Sequence, residues 1–158
     1  MPSTHGGGLC YTKGYADPAI LKAGYSASTD GYAVGITLLV CLTNKAVMVE
    51  QRSGSPIDLI DAFELELEED FEDIAAEDVS DPVAAWPLSV ANTVKDLVKS
   101  RGKCLCTEKQ RKRLELASVV ATLHELLAVT DGQTPVSDAP SPTVETVIET
   151  VVEVRKAY

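Results

Sequence analysis

Apolar side chains gather in a few blocks separated by polar and proline-bearing stretches. Residues 31–42 are apolar at nearly every position and follow Ser26, Ser28, Thr29 and Asp30, all competent helix N-caps. The block is apolar on every side, which predicts a central buried helix containing Cys41; a buried strand is the competing reading, and the length favours helix. Asn44 and Lys45 supply its stop, through asparagine's tolerance of left-handed backbone and the lysine's favourable place at the dipole's negative end.

Between 56 and 79, Ile57, Leu59, Ile60, Phe63, Leu65, Leu67, Phe71 and Ile74 alternate with acids, predicting a short amphipathic helix with irregular flanks. Asp81-Pro82 and Trp86-Pro87 then break helix, because proline lacks the amide donor and restricts the residue before it. A helical pattern resumes over 88–101 through Leu88, Val90, Ala91, Val94, Leu97 and Val98. Leu116, Val119, Val120, Leu123 and Leu127 lie at offsets 0, 3, 4, 7 and 11, one face of a further helix.

The ends read differently. Residues 1–14, with Gly6-Gly7-Gly8, form a loop. The glycines follow no strand and do not stand at the spacing to a lysine and hydroxyl that a phosphate cradle requires. Residues 130–142 are a proline- and serine-rich linker. Residues 143–158 form an acidic, valine-rich tail, either without fixed structure or a short helix, since its stripe of Val144, Val147, Ile148, Val151 and Val152 is β-branched.

The chain has 158 residues, 45% of them apolar, which suits one globular domain with an aliphatic core. A formal charge of −10 argues against nucleic acid or an anionic membrane as partner. The charge is segregated: residues 53–94 hold twelve acids and no Lys or Arg, and residues 95–115 hold eight basic side chains against three acidic. Taken alone, each block is expected to be a solvated face. The longest apolar run, Ala33 to Leu42, falls short of the ~20 residues that cross a bilayer, so no membrane insertion by this segment is expected.

Isolated chemistry is sparse. Cys10, Cys41, Cys104 and Cys106 are too few for a disulfide scaffold and fit a reducing, cytoplasmic setting. Cys104 and Cys106 stand closer in sequence than zinc-binding pairs do, and only His5 and His124 remain as further soft ligands, so no metal site is expected. Ser3 and Thr4 belong to a short Ser/Thr-bearing loop of ordinary composition. Glu68, Glu69 and Asp70 form a charge run without a pocket, giving no basis for paired-carboxylate hydrolysis.

Three segments in order resemble one family. Thr12-Lys13-Gly14-Tyr15-Ala16-Asp17-Pro18 resembles the Gly-Thr-x-Gly-Tyr-x-x-Pro-Glu close of the activation loop of eukaryotic protein kinases. Ser28 to Leu39 resembles the start of that family's central helix, Lys-Ser-Asp-Val-Tyr-Ser-Phe-Gly-Val-Val-Leu-Leu. Cys104-Leu105-Cys106, Lys112-Arg113-Leu114 and Ala117-Ser118-Val119-Val120 resemble its closing Cys-Leu, Lys-Arg-Pro and Val-Val elements. The likeness is greatest to the interleukin-receptor-associated and plant receptor-like serine/threonine branch and covers about residues 8–129.

The resemblance implies a mainly α fold: a truncated protein-kinase-like large lobe over residues 1–129, without a small lobe. It gives Thr12, Gly14 and Tyr15 to the substrate-binding surface. Asp30, as anchor of the catalytic-loop backbone, and Arg113, as half of a buried ion pair, become structural residues. Arg113's usual partner, the glutamate after the loop proline, is replaced by Ala19, which predicts a loosened anchor unless Asp17 substitutes or Arg113 turns to solvent.

Phosphoryl transfer in this family uses a glycine-rich loop, a lysine–glutamate pair, a catalytic aspartate and asparagine, and a magnesium-binding aspartate. None of those motifs occurs in this sequence, so no catalytic residue and no bound cofactor are expected, and Mg-ATP is implied only for a longer parent. The expected partner is a protein, either substrate or binding partner. The expected location is cytoplasmic, or the cytoplasmic side of a membrane if the parent is a receptor. A non-catalytic, pseudokinase-like interaction module is the alternative reading.

Overall fold

A computed structural model of the chain describes residues 11–51 and 54–130. The 1–10 loop, with His5, Ser3 and Thr4, and the linker and tail from 131 onward lie outside the described residues, as does Cys10. The fold is mainly helical, with one small two-stranded sheet. The chain divides into two compact units between Arg113 and Leu114.

The first unit opens with a single helical turn, α1 (Ile20–Ala23), and the long α2 (Ala27–Thr43). Ser26 begins α2 through a reciprocal cap: its hydroxyl accepts from the Thr29 amide at 3.3 Å, and the Thr29 hydroxyl accepts from the Ser26 amide at 2.8 Å. Asn44 ends it in the left-handed region at φ 53°, as the sequence predicts. The expectation of burial on every side is corrected, because Ile36, Leu39 and Leu42 face the core while Thr37 and Cys41 are exposed. An aliphatic run is compatible with partial exposure; the apolar content alone does not determine how many sides are covered.

After α2, β1 (Met48–Val49) pairs antiparallel with β2 (Ile57–Asp58), Met48 opposite Asp58 and Val49 opposite Ile57. The pairing runs directly into α3 (Leu59–Leu67), capped by the Asp58 carboxylate on the Asp61 amide at 3.0 Å. α3 buries Leu59, Ile60 and Phe63, and Phe63 meets Phe71 edge-on with ring centres 6.1 Å apart. The short α4 (Ala76–Val79) follows, and the Asp81 amide donates to the Leu42 carbonyl at 2.9 Å, satisfying one orphan acceptor at the end of α2.

α5 (Leu88–Val98) packs on α2 and α4 through Ala91, Val94, Leu97 and Val98. The chain then turns back, and the amides of Leu105 and Cys106 donate to the carbonyls of Leu97 and Val98 at 2.8 and 2.9 Å. A 3-10 turn (Gln110–Lys112) closes the unit.

Most side chains of the acidic and basic blocks are exposed, as expected of solvated faces, but the blocks are joined at three points. Lys99 pairs with Glu64 at 2.6 Å, Arg101 grips both Asp73 oxygens at 2.7 and 2.6 Å, and the buried Lys95 donates to the Glu72 carbonyl at 3.0 Å. Lys95 reaches that carbonyl by laying its stem across the core beside Phe71. The second unit contains α6 (Leu116–Thr130), which carries the stripe from Leu116 to Leu127 and the exposed His124.

Candidate functional site

The most polar part of the interior lies where the segment before α1 meets the end of the first unit. Arg113 and Asp17, separated by 96 positions, form a buried two-point ion pair: one guanidinium nitrogen reaches Asp17 Oδ2 and the other Oδ1 at 3.1 Å. Asp17 also accepts from the Ala19 amide and the Gln110 side chain, both at 2.9 Å. Arg113 donates to the Thr107 and Ser28 carbonyls at 2.9 Å each and sits 5.3 Å from the Tyr32 ring centre.

Each charge is therefore paired and hydrogen-bonded, the condition under which buried ions are tolerated. Burial alone would raise the Asp17 carboxyl, but hydrogen bonds from Arg113, Ala19 and Gln110 outweigh it and hold the group below the ordinary carboxylate range. Of the alternatives the sequence leaves open, the structure takes the first. Asp17, two positions before Ala19, takes up the guanidinium.

Helix α2 supports this junction through its glycines. A Cβ on Gly35 would lie 2.6 Å from Cys106 Sγ and 2.8 Å from Leu105 Cβ, so the absence of a side chain lets the 104–106 segment seat directly on the helix. One turn earlier, Gly31 leaves Leu105 at an ordinary contact distance. Cys104 and Cys106 are buried there, and Cys106 is pushed up to about 12, first by burial and then by the neighbouring Cys104. Such a thiol is a packing group rather than a nucleophile. No group of three metal-ligating side chains occurs among the described residues.

A cleft of about 350 Å³ opens beside the ion pair, between the start of α1, α2, the head of α3 and the strand-like segment after α5. Its lining includes Tyr32, Asp58, Ile60, Asp61, Lys99 and Glu108. Burial and nearby Cys106 and Asp58 drive the Tyr32 hydroxyl well above its usual range, so it stays protonated.

The sequence-derived residues fall in three places. Arg113 lies at the junction. Thr12, Gly14 and Tyr15 form a turn before it, closed by the Tyr15 amide on the Thr12 carbonyl at 3.2 Å, with Gly14 at φ +90° and tight against Val47 and Met48. Asp30 is exposed in the first turn of α2. Sequence reasoning missed Tyr32, Asp58 and Asp61 as cleft residues, although Asp58 in front of an apolar run carried a cap signal.

No family model matches this chain, and no curated protein matches it either. Among the described residues, no helix is long and apolar enough to cross a membrane.

Proposed function

We propose that this chain is the latter part of the large lobe of a serine/threonine protein kinase, similar to the interleukin-receptor-associated and plant receptor-like branch. The parent would transfer phosphate from Mg-ATP to protein Ser or Thr in the cytoplasm. The observation that carries the reading is the buried Asp17–Arg113 pair. It joins the segment resembling the end of the activation loop to the segment resembling the final Lys-Arg, a closure the family makes with an arginine and a glutamate.

The capped start of α2 and the Cys-Leu-Cys segment seated on its glycines support the same alignment. In this reading Thr12, Gly14 and Tyr15 shape the substrate surface, and Asp30 would hold a catalytic-loop backbone supplied by residues outside this sequence. The sequence carries none of the motifs that supply the lysine, asparagine and aspartate set for Mg-ATP, so this reading expects the chain by itself to be inactive.

One observation favours the second reading, a non-catalytic interaction module. Tyr25, Leu65, Val83 and Leu88 are exposed by half or more of their surface. The deciding experiment is the size of the native product, detected with an antibody against residues 131–158, followed by phosphorylation of a generic serine substrate by the captured protein. The kinase reading expects a band of roughly twice 16.9 kDa or more, with ATP-dependent transfer. A band at 16.9 kDa without transfer overturns it in favour of the interaction module.

A further inference from the structure

The cleft beside the ion pair has an imbalance that the fold does not resolve. Of its cations, Arg113 is neutralised by Asp17 and Lys99 by Glu64. That leaves Asp58, Asp61 and Glu108 facing Lys22 alone, with no ion pair to any of the four among the described residues. Burial, then the Asp58 and Glu64 carboxylates and a hydrogen bond with Asp58, push the Asp61 carboxyl above its ordinary range against the opposing charge of Lys99.

A second, independent observation lies on the cleft wall. Tyr32 is 7% exposed, and its hydroxyl has no hydrogen-bond partner among the described residues. The only fully enclosed side-chain polar atom lacking a partner among those residues is the Trp86 indole nitrogen. The Tyr32 oxygen is therefore not sealed in, and the space it borders is the cleft. Buried hydroxyls ordinarily find a partner, so one that opens toward a cleft is an acceptor on offer to a ligand.

We propose that this cleft binds a guanidinium group, held by the Asp58 and Asp61 carboxylates with the Tyr32 oxygen as a further acceptor. The chemistry selects it. The groups on offer are two neighbouring carboxyls and a hydroxyl, and a guanidinium presents five N–H donors in a planar fork, whereas an ammonium is a strongly hydrated point charge. Asp58 caps the Asp61 amide, and its carboxylate also meets the Asp61 carboxyl, so the two groups stand side by side on one wall of the cleft. The volume equals that of about twelve liquid waters at ~30 Å³ each, enough for an arginine-sized side chain and too small for a folded element. The site does not depend on the chain belonging to a kinase.

Two sources carry this group, a free alkylguanidine and an arginine side chain on a partner peptide. The test is a titration of the ¹⁵N-labelled full chain, followed by amide shifts, with agmatine and with the capped tripeptide acetyl-Gly-Arg-Gly-amide. Saturable shifts at the amides of Tyr32, Ile60 and Asp61 are expected. Equal affinity for both probes assigns a small-molecule ligand, and tighter binding of the peptide assigns a protein arginine.

Asp58→Asn preserves the helix cap while removing charge, and combined with Asp61→Asn it should abolish the shifts. Tyr32→Phe keeps the ring beside Arg113 and should weaken binding ~2- to 10-fold, the range for one hydrogen bond. Non-saturating shifts with both probes, equal response to acetate, or undiminished binding by both Tyr32→Phe and a folded Asp58→Asn variant would overturn the proposal.

Discussion

Replacing Asp17 with alanine strands a buried guanidinium. Arg113 would keep the Thr107 and Ser28 carbonyls and the Tyr32 ring but lose both carboxylate bonds. Breaking a buried pair from one side costs about 3–5 kcal/mol. The lost cap on the Ala19 amide and the lost Gln110 contact lie within that range. Against the total stability of about 5–15 kcal/mol usual for a domain, the variant sacrifices a fifth or more.

Adding Arg113→Met to Asp17→Ala removes the stranded charge. What then remains is two carbonyls without donors, at about 0.5–1.5 kcal/mol for each lost hydrogen bond. The double variant should therefore be about 1–2 kcal/mol more stable than Asp17→Ala alone. Urea unfolding followed by the fluorescence of Trp86, the single tryptophan, measures both at constant slope. A cost below about 1 kcal/mol for Asp17→Ala, or a double variant as unstable as the summed single changes, would refute the argument.

The pH dependence has a definite sign. Asp17 titrates lower in the folded chain than in the unfolded one, so its contribution is complete above the unfolded value of about 3.9 and drains away as pH falls through the folded value. The gap between wild type and Asp17→Ala should thus be intact at pH 5 and narrow only in stronger acid.

Gly35→Ala should lower the unfolding midpoint by the equivalent of about 1–3 kcal/mol, despite alanine's better helix propensity, because the new methyl meets Cys106 and Leu105. Gly31→Ala, with only Leu105 at 3.7 Å, should be neutral or gain up to about 1 kcal/mol, and equal effects at the two sites would contradict the packing described. Asp30→Ala should shift stability by no more than about 1 kcal/mol, since the exposed carboxylate serves only the first turn of α2; a larger loss in thermal unfolding would require a contact this fold does not make. Ala19→Glu should fail to raise the melting temperature, because Asp17 already occupies the guanidinium; a clear rise would mean the pair is imperfect.

The parts of the fold that sequence revealed are those specified locally. Ser26 and Asn44 bracket α2 by chemistry readable within a few residues, and the stripe from Leu116 to Leu127 needs only helical geometry. The strands β1 and β2 were not legible, because two residues each carry no periodicity and their pairing depends on an intervening turn. The choice of Asp17 over position 19 as partner for Arg113 was left open, since it depends on how the loop is set against α2. The facing of the acidic and basic blocks was hidden for the same reason: it follows from α5 lying against α4, a long-range fact. Cys41 was misplaced because an aliphatic neighbourhood in sequence does not specify which side of a helix is covered.

The ion pair also bears on how the protein is made. Asp17 leaves the ribosome 96 positions ahead of Arg113. At about 5–20 residues per second, the nascent chain spends roughly 5–20 s with the carboxylate synthesised and its counter-charge not yet translated. Until then the segment before α1 has nothing to lock it into the interior. The first unit can complete its assembly only as its last residue appears, so a ribosome stalled short of codon 113 would hold an open intermediate exposed to chaperones and proteases.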